Sequence, residues 1–534
     1  MLFNPHSAFR NLTIGRPARL QQAVPTCHHF CTWRPQPLTA FEENNAVRLF
    51  TSLAVAFALV FSPALARQAQ PSQPAAPQRP AEPPKVVLPP PRVRAEDYRA
   101  AASRIIGAAL TSDRAYKRLA YLTDRIGHRL SGSESLERAV EWALAEMKRD
   151  GLENVRGEKV MVPHWVRGEE SLELTSPVAR KLSMLGLGNS VGTPPEGVTA
   201  DAIVVRNFDE LEARSSEVRG KIVVYNVPFT TYGATVQYRG AGASRAAKYG
   251  AVAALVRSVT PVSLQTPHTG SMSYAADQPK IPAAAITIEA AEMLQRMQER
   301  GERLTLTLKM QAKFLPDAES ANVVAELRGR EKREEIVLLS GHYDSWDVGA
   351  GAHDDGGSCI AAWEAVRLLK ELNLRPRRTV RAVLWTNEEN GLRGGNGYHD
   401  AHKAELAKHV LVVESDGGIY RPQGFGLAAN APLQARADME ELAKLLSGIR
   451  AGRIGASGGG ADIGPLMRAG VIGASLDTDN ERYFDIHHTH ADTIDKIDPN
   501  DLAYCVATLA VMAYAVAEAP TALNEPARAG APGR

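Results

Sequence analysis

Residues 334–357 read EEIVLLSGHYDSWDVGAGAHDDGG, and the folded part of the chain can be read outward from them. Ile336–Leu339 is a short continuous apolar run, the mark of a strand buried on both faces. It runs into a loop that gathers His342, Asp344, His353, Asp354 and Asp355 between glycines. SCIAAWEAVRLLKEL (358–372) follows at helical spacing. A buried strand, a polar loop and a covering helix form one unit of an α/β sheet with helices on its faces. The pattern recurs in the strands TVRAVLWTNEE (379–389), HVLVVESD (409–416) and VIGASLD (471–477). Helices are expected at MEELAKLLSGI (439–449), ADIGPLMRAG (461–470) and 498–518. NVVAELRG (322–329), joined to the first strand by the polar turn GREKR, predicts a hairpin. The reading is an α/β fold with a mostly parallel central sheet flanked by helices.

Upstream, SESLERAVEWALAEMKRDG (133–151) places Leu136, Val140, Leu144 and Met147 at helical spacing and stops at Gly151. Residues 153–193 read as short strands and turns. Residues 196–311 look self-contained: DAIVVRNF and KIVVYNVP are strands, and two strand–helix pairs follow. The remainder is then a second unit made of 96–195 and 312–520. Residues 67–95 form a linker, with nine prolines between 67 and 92. Residues 521–534 read as a disordered tail. The stretch 49–66 carries no charge and ends in Ala64-Leu65-Ala66 after an apolar core at 49–61, the pattern of a signal peptide. Eighteen residues broken by Ser62 and Pro63 fall short of the ~20 a membrane span needs. Export to a periplasmic or extracellular space follows, with no stable span after cleavage. The 48 residues in front of this leader predict that translation starts near Val47.

The whole chain of 534 residues is 44% hydrophobic with a net charge of +2. Scattered charge without a basic stripe excludes a nucleic-acid partner. Cys27 and Cys31 make half a zinc knuckle with no second half, and Cys359 and Cys505 sit inside helical patterns as core residues.

Potential metal ligands recur at the strand ends, where open α/β sheets bind ligands. They are His342 and Asp344, then His353, Asp354 and Asp355, then Glu388 and Glu389, Asp416, and finally His487, His488, His490 and Asp492. Two histidines and three carboxylates suit zinc better than manganese or cobalt. Asp344, two residues after His342, shares its face of an extended segment and is expected to hold the imidazole. Asp347, Asp355, Asp492 and Asp495 read equally as caps. Ala456–Gly460 reads as a flexible connector or as amides that receive a substrate carboxylate, and the role of Asp462 stays open.

The runs SGH342YD344SWDVGAGAHD354D355GG, WTNE388E389NG, ESD416 and HH488THAD492T resemble the co-catalytic zinc aminopeptidase family in order and spacing. RLAYLTDRIGHRLSGS (118–133) and MVPHWVRGEE (161–170) resemble, more narrowly, a dipeptide-directed branch of it. The resemblance runs from about residue 97 to 518. It implies a zinc-exopeptidase fold with an inserted protease-associated domain at 196–311 and two zinc ions per subunit. His342 and Asp416 would bind one ion, Glu389 and His488 the other, and Asp354 both. Glu388 would be the general base. The resemblance further implies an exported peptidase of small unblocked peptides, foremost dipeptides, and a homodimer. A broader aminopeptidase, a glutaminyl-cyclase-like acyl transferase and a non-catalytic relative are the alternatives on the same fold.

Overall fold

The computed structural model describes residues 87–526. The leader with its apolar core, Cys27 to Cys31, most of the linker and the last eight residues lie outside the described residues. Arg92 pairs with Asp438 at 2.7 Å, and Val93, Ala95, Ala522 and Leu523 are buried. Packing therefore begins before residue 96 and continues past 520.

Eight strands build the central sheet. They are β1 (Glu153–Val166), β2 (Lys313–Leu327), β3 (Lys332–His342), β4 (Arg378–Trp385), β5 (His409–Glu414), β6 (Pro422–Leu427), β7 (Arg453–Gly455) and β8 (Gly473–Thr478). Their order is β1-β2-β4-β3-β5-β8-β6-β7. The four strands in the middle, β4-β3-β5-β8, run parallel, as their buried apolar runs require. The flanks are mixed. β1 with β2, β2 with β4, and β8 with β6 are antiparallel, while β6 with β7 is parallel, so the sheet is mixed around its parallel centre. The expected hairpin between 322–329 and 334–341 does not form, because β4 lies between its two strands. Val323, Val324 and Ala325 pair with Leu384, Val383 and Ala382 instead, which buries both faces of β2.

Glu134–Arg149 is a helix, capped by the Ser133 hydroxyl accepting from the Leu136 amide at 3.2 Å. Gly357–Glu371 and Pro499–Glu518 are two further core helices. The second is apolar enough to cross a membrane, but its apolar face is buried in the main hydrophobic core. Residues 153–193, expected as short pieces, begin with the fourteen-residue β1. Of the expected helix 461–470 only Gly464–Arg468 is helical.

A second eight-stranded sheet occupies Glu170–Met310, so it starts ahead of residue 196. Trp346 and Val348, from the loop after β3, are buried in its core beside Trp165 and Met310. The bidentate pair of Arg167 with Asp347, at 2.9 and 2.6 Å, ties the same loop to it.

Candidate metal centre

The parallel strands deliver their carboxyl ends to one edge of the sheet. His342 is the last residue of β3, Glu388 and Glu389 follow β4, and Asp416 follows β5. Asp354 sits in the loop before the helix Gly357–Glu371, where Asp492 grips it: one carboxylate oxygen accepts the His353 amide at 2.8 Å, the other that of Asp354 at 3.1 Å. Asp492, read from sequence as an ordinary cap, thus aims the central carboxylate. His487 and His488 follow the short helix Tyr483–Ile486.

These side chains converge on Asp354. Its Oδ1 lies 3.0 Å from His342 Nε2, and its Oδ2 lies 3.1 Å from His488 Nε2. Asp416 Oδ1 is 3.5 Å from the same nitrogen of His342, while Glu389 Oε2 is 3.1 Å from that of His488. One carboxylate therefore stands between two half-sites, His342 with Asp416 and His488 with Glu389. His487 Nε2 lies farther off, at 3.6 Å from Asp354. Asp354 Oδ2 and Glu389 Oε1 are buried without a hydrogen-bond partner. Buried carboxylate oxygens left in that state beside imidazole nitrogens are the donor set a divalent cation satisfies.

Each imidazole is aimed from behind. His342 Nδ1 donates to the Asp344 carbonyl at 3.0 Å, and His488 Nδ1 donates to the Thr269 carbonyl at 3.2 Å, which turns both Nε2 atoms toward Asp354. The Thr269 amide donates in turn to the His488 carbonyl at 3.0 Å. That two-way pairing holds His488 at φ +61°, a conformation that a non-glycine residue adopts only under constraint.

Asp344 differs from its expected role. Its carboxylate lies 3.8 Å from His342 Nδ1, and the backbone carbonyl holds the ring instead. The carboxylate accepts the amides of Glu388 at 3.0 Å and Glu389 at 3.2 Å. Ser131 Oγ donates to it at 3.3 Å and accepts from Asn387 at 3.0 Å. Asp344 is the clamp of the Glu388–Glu389 segment. Asp355 gives one oxygen to the His342 amide at 3.0 Å, while its other oxygen is buried without a hydrogen-bond partner near His342 and Asp416.

The electrostatics separate the residues. Burial would depress His488, but Glu389 and Asp354 outweigh it and raise it to about 10. Burial and the charge on His488 hold its stacked neighbour His487 well below its ordinary value. Asp354 acts on both adjacent histidines, but only at His488 do the acids outweigh burial. Burial raises Glu388 well above the carboxylate range, helped by Asp416, Glu389 and Asp344 and opposed by His342. Burial and the Asp354 charge bring Glu389 to about 7.

Two carboxyls at this edge had no assigned role in the sequence. Glu414, at the end of β5, accepts the amides of Asp462 at 3.4 Å and Ile463 at 2.8 Å. Burial and Asp416 raise it to about 7. Asp462 is buried with both oxygens unpartnered, and burial, then Glu414 and Glu388, push it well up. The amides that follow 456–460 are therefore already taken, and Gly460 is required because a side chain there would occupy the place of the Glu414 carboxylate.

A cavity of about 580 Å³ opens over the cluster. His342, Glu388, Asp416 and His488 form one wall. The other comes from the second sheet's region, where Tyr232 and Arg239 project from the helix Tyr232–Ala247. Tyr232 stacks on Phe484 at 4.9 Å. Neither Tyr232 nor Arg239 carried a signal in the sequence, since no ligand motif lies near them.

The profile of Peptidase family M28 matches residues 322–513. Carboxypeptidase Q of Mus musculus is 48% identical over 425 residues, covering 79% of this chain and 90% of that protein. That of Homo sapiens is 48% identical over 420 residues, 78% and 89% respectively. The crystal structure of a peptidase M28 precursor from Shewanella amazonensis SB2B superposes with a TM-score of 0.77 at 33% identity, covering 80% of this chain and 98% of that one. A zinc aminopeptidase from Bacillus subtilis shares the fold, with a TM-score of 0.60 at 20% identity over 77% and 96% of the two chains. The mixed α/β fold, the cluster of histidines and carboxylates at its strand ends and these likenesses agree: the chain belongs to peptidase family M28 and is a metallo-exopeptidase of the carboxypeptidase Q type.

Proposed function

We propose that the protein is an exported dipeptidase that works with two zinc ions. The observation that carries this reading is Asp354, whose two oxygens face different imidazoles, His342 on one side and His488 on the other. His342 and Asp416 would hold one ion, and Glu389 and His488 the second, with Asp354 shared between them. Zinc in such a site polarises the scissile carbonyl and makes water a better nucleophile near neutral pH.

The chain's own residues do the rest. Glu388 is adjacent to Glu389 yet lies outside the ligand pairs, and its carboxylate lines the cavity. It takes the proton of the attacking water and returns it to the leaving amine. Asp344 is a positioning residue: it fixes the two backbone amides from which both glutamates project. The aromatic wall of Tyr232 and Phe484 narrows the cavity and keeps bulk water from the reacting bond. The region of the second sheet, read as a protease-associated domain, supplies Tyr232 of that wall and the Thr269 support of His488. The uncharged 49–66 segment supports export. A homodimer and small peptide substrates complete the reading.

Glu388→Gln tests the assignment. The variant keeps its two zinc ions and loses about 10²–10⁴-fold in kcat on a dipeptide, the usual share of a general base. Wild-type turnover, or loss of the metal, would remove Glu388 from that role.

A further inference from the structure

Seven arginines are buried among the described residues. Five have carboxylate partners: Arg118 with Asp150, Arg167 with Asp347, Arg367 with Glu364, Arg378 with Glu335 and Arg381 with Glu326. Arg129 donates instead to four backbone carbonyls. Arg239 has no carboxylate partner and only one, long, backbone-carbonyl contact. It is 6% exposed, and no carboxylate among the described residues lies within 4.0 Å of it. Nη2 donates to the Tyr232 hydroxyl at 2.7 Å and Nη1 reaches the Thr269 carbonyl at 3.4 Å, while Nε has no acceptor. A guanidinium has five N–H donors, so most of its capacity is unused, and a buried cation in that state is costly.

The position is built rather than accidental. Tyr232 presents its ring to the guanidinium at 5.5 Å and its hydroxyl to Nη2. Gly270, at φ +134°, leaves the space in which the guanidinium lies, and a Cβ there would fall inside it. Arg239 lines the same cavity as His342 and Glu388. Its Nη1 is 3.5 Å from His488 Nδ1, one imidazole away from Asp354 and Glu389.

We propose that Arg239 receives the terminal carboxylate of the substrate, so that the bond cleaved is the one a single residue away from that end. Successive Cα atoms are about 3.8 Å apart, so a dipeptide whose carbonyl lies over the cluster carries its carboxylate to the neighbourhood of His488 and no farther. A carboxylate there takes up the idle donors in a charge-assisted pair and supplies the missing counter-charge. A longer peptide would place an uncharged amide at the same point. This rests on the dipeptide reading above and names the group that enforces it. The Ala456–Gly460 turn is the poorer receiver, because Arg453, the cation lining its cavity, is already paired with Asp477 at 3.1 Å.

The test compares alanyl-alanine with its C-terminal amide. The wild-type enzyme cleaves the free acid at least about 10-fold better in kcat/KM, a charge-assisted pair being worth about 10- to 100-fold. Arg239→Met collapses that ratio by about 10- to 100-fold, mainly through KM for the acid, and Arg239→Lys retains part of it. A wild-type ratio near one overturns the inference and leaves the dipeptide reading standing, and this measurement needs no variant to fold. An Arg239→Met protein that loses both substrates in equal proportion overturns it too, since a residue that only supports His488 would behave so. If the wild-type enzyme cleaves longer peptides but neither of these substrates, the dipeptide reading fails and the inference falls with it.

Discussion

Replacing Asp344 with Asn removes one acceptor and the negative charge while keeping the side chain's shape. In the native site its two oxygens accept the amides of Glu388 and Glu389 at 3.0 and 3.2 Å. An asparagine keeps one oxygen. The NH2 that replaces the other faces the second backbone N–H, donor against donor. The lost charge-assisted bond and the unpaired amide together cost about 2–4 kcal/mol. The segment most able to relax is the Glu388–Glu389 turn, since Asp344 itself is buried. If about 2 kcal/mol of that cost reaches the transition state, kcat falls about 30-fold. Steady-state kinetics on a dipeptide, with circular dichroism and zinc content measured on the same protein, separate this from unfolding. The expected result is the fall in kcat with native dichroism. Asp344→Asn activity within about 2-fold of wild type would refute the clamp, because the two amides are held by different oxygens and an asparagine presents an oxygen at only one of those places.

Arg129→Met leaves the carbonyls of Tyr343, Ala350 and Gly351 without their shared donor and costs about 3–5 kcal/mol, read as a lower apparent Tm. An unchanged Tm would mean that the 343–351 loop finds other donors. Cys359 and Cys505 are buried, and burial pushes both thiols above their ordinary value. Protein beginning at Arg67 should therefore show no thiol to a disulfide reagent at pH 8 and two after unfolding; rapid reaction of the native form would contradict the packing of both helices. Removal of metal by a chelator abolishes peptide hydrolysis, and titration with zinc restores it at two equivalents per chain. Full recovery at one equivalent would eliminate the two-ion reading.

Much of the site could be read before any coordinates. His342, Glu388, Glu389 and Asp416 stand at or just beyond the ends of strands whose apolar runs are unmistakable, Asp354 and His488 lie in longer loops that follow two of them, and a parallel sheet must bring such ends to one edge. What failed was the prediction of contacts between distant segments. The hairpin expected after 322–329 follows from a short polar turn, yet burial of both faces of β2 is better served by β4, and proximity in sequence lost to packing. Asp344 was expected to hold His342 because the two share a face, which is a local argument. Its carboxylate turns instead to amides 44 and 45 residues away.

The amino-acid sequence alone determined the ligand types, their order and the strands that carry them, because apolar periodicity and the chemistry of histidine and carboxylate are properties of short segments. Only the tertiary structure decided which oxygen faces which imidazole, that Asp492 aims Asp354, and that Thr269 and Arg239 reach His488 from 219 and 249 residues away. The last two contacts depend on how the second sheet docks on the first. Docking is fixed by the Trp346 and Val348 side chains buried in the other core and by the Arg167–Asp347 pair, interactions that no local pattern encodes.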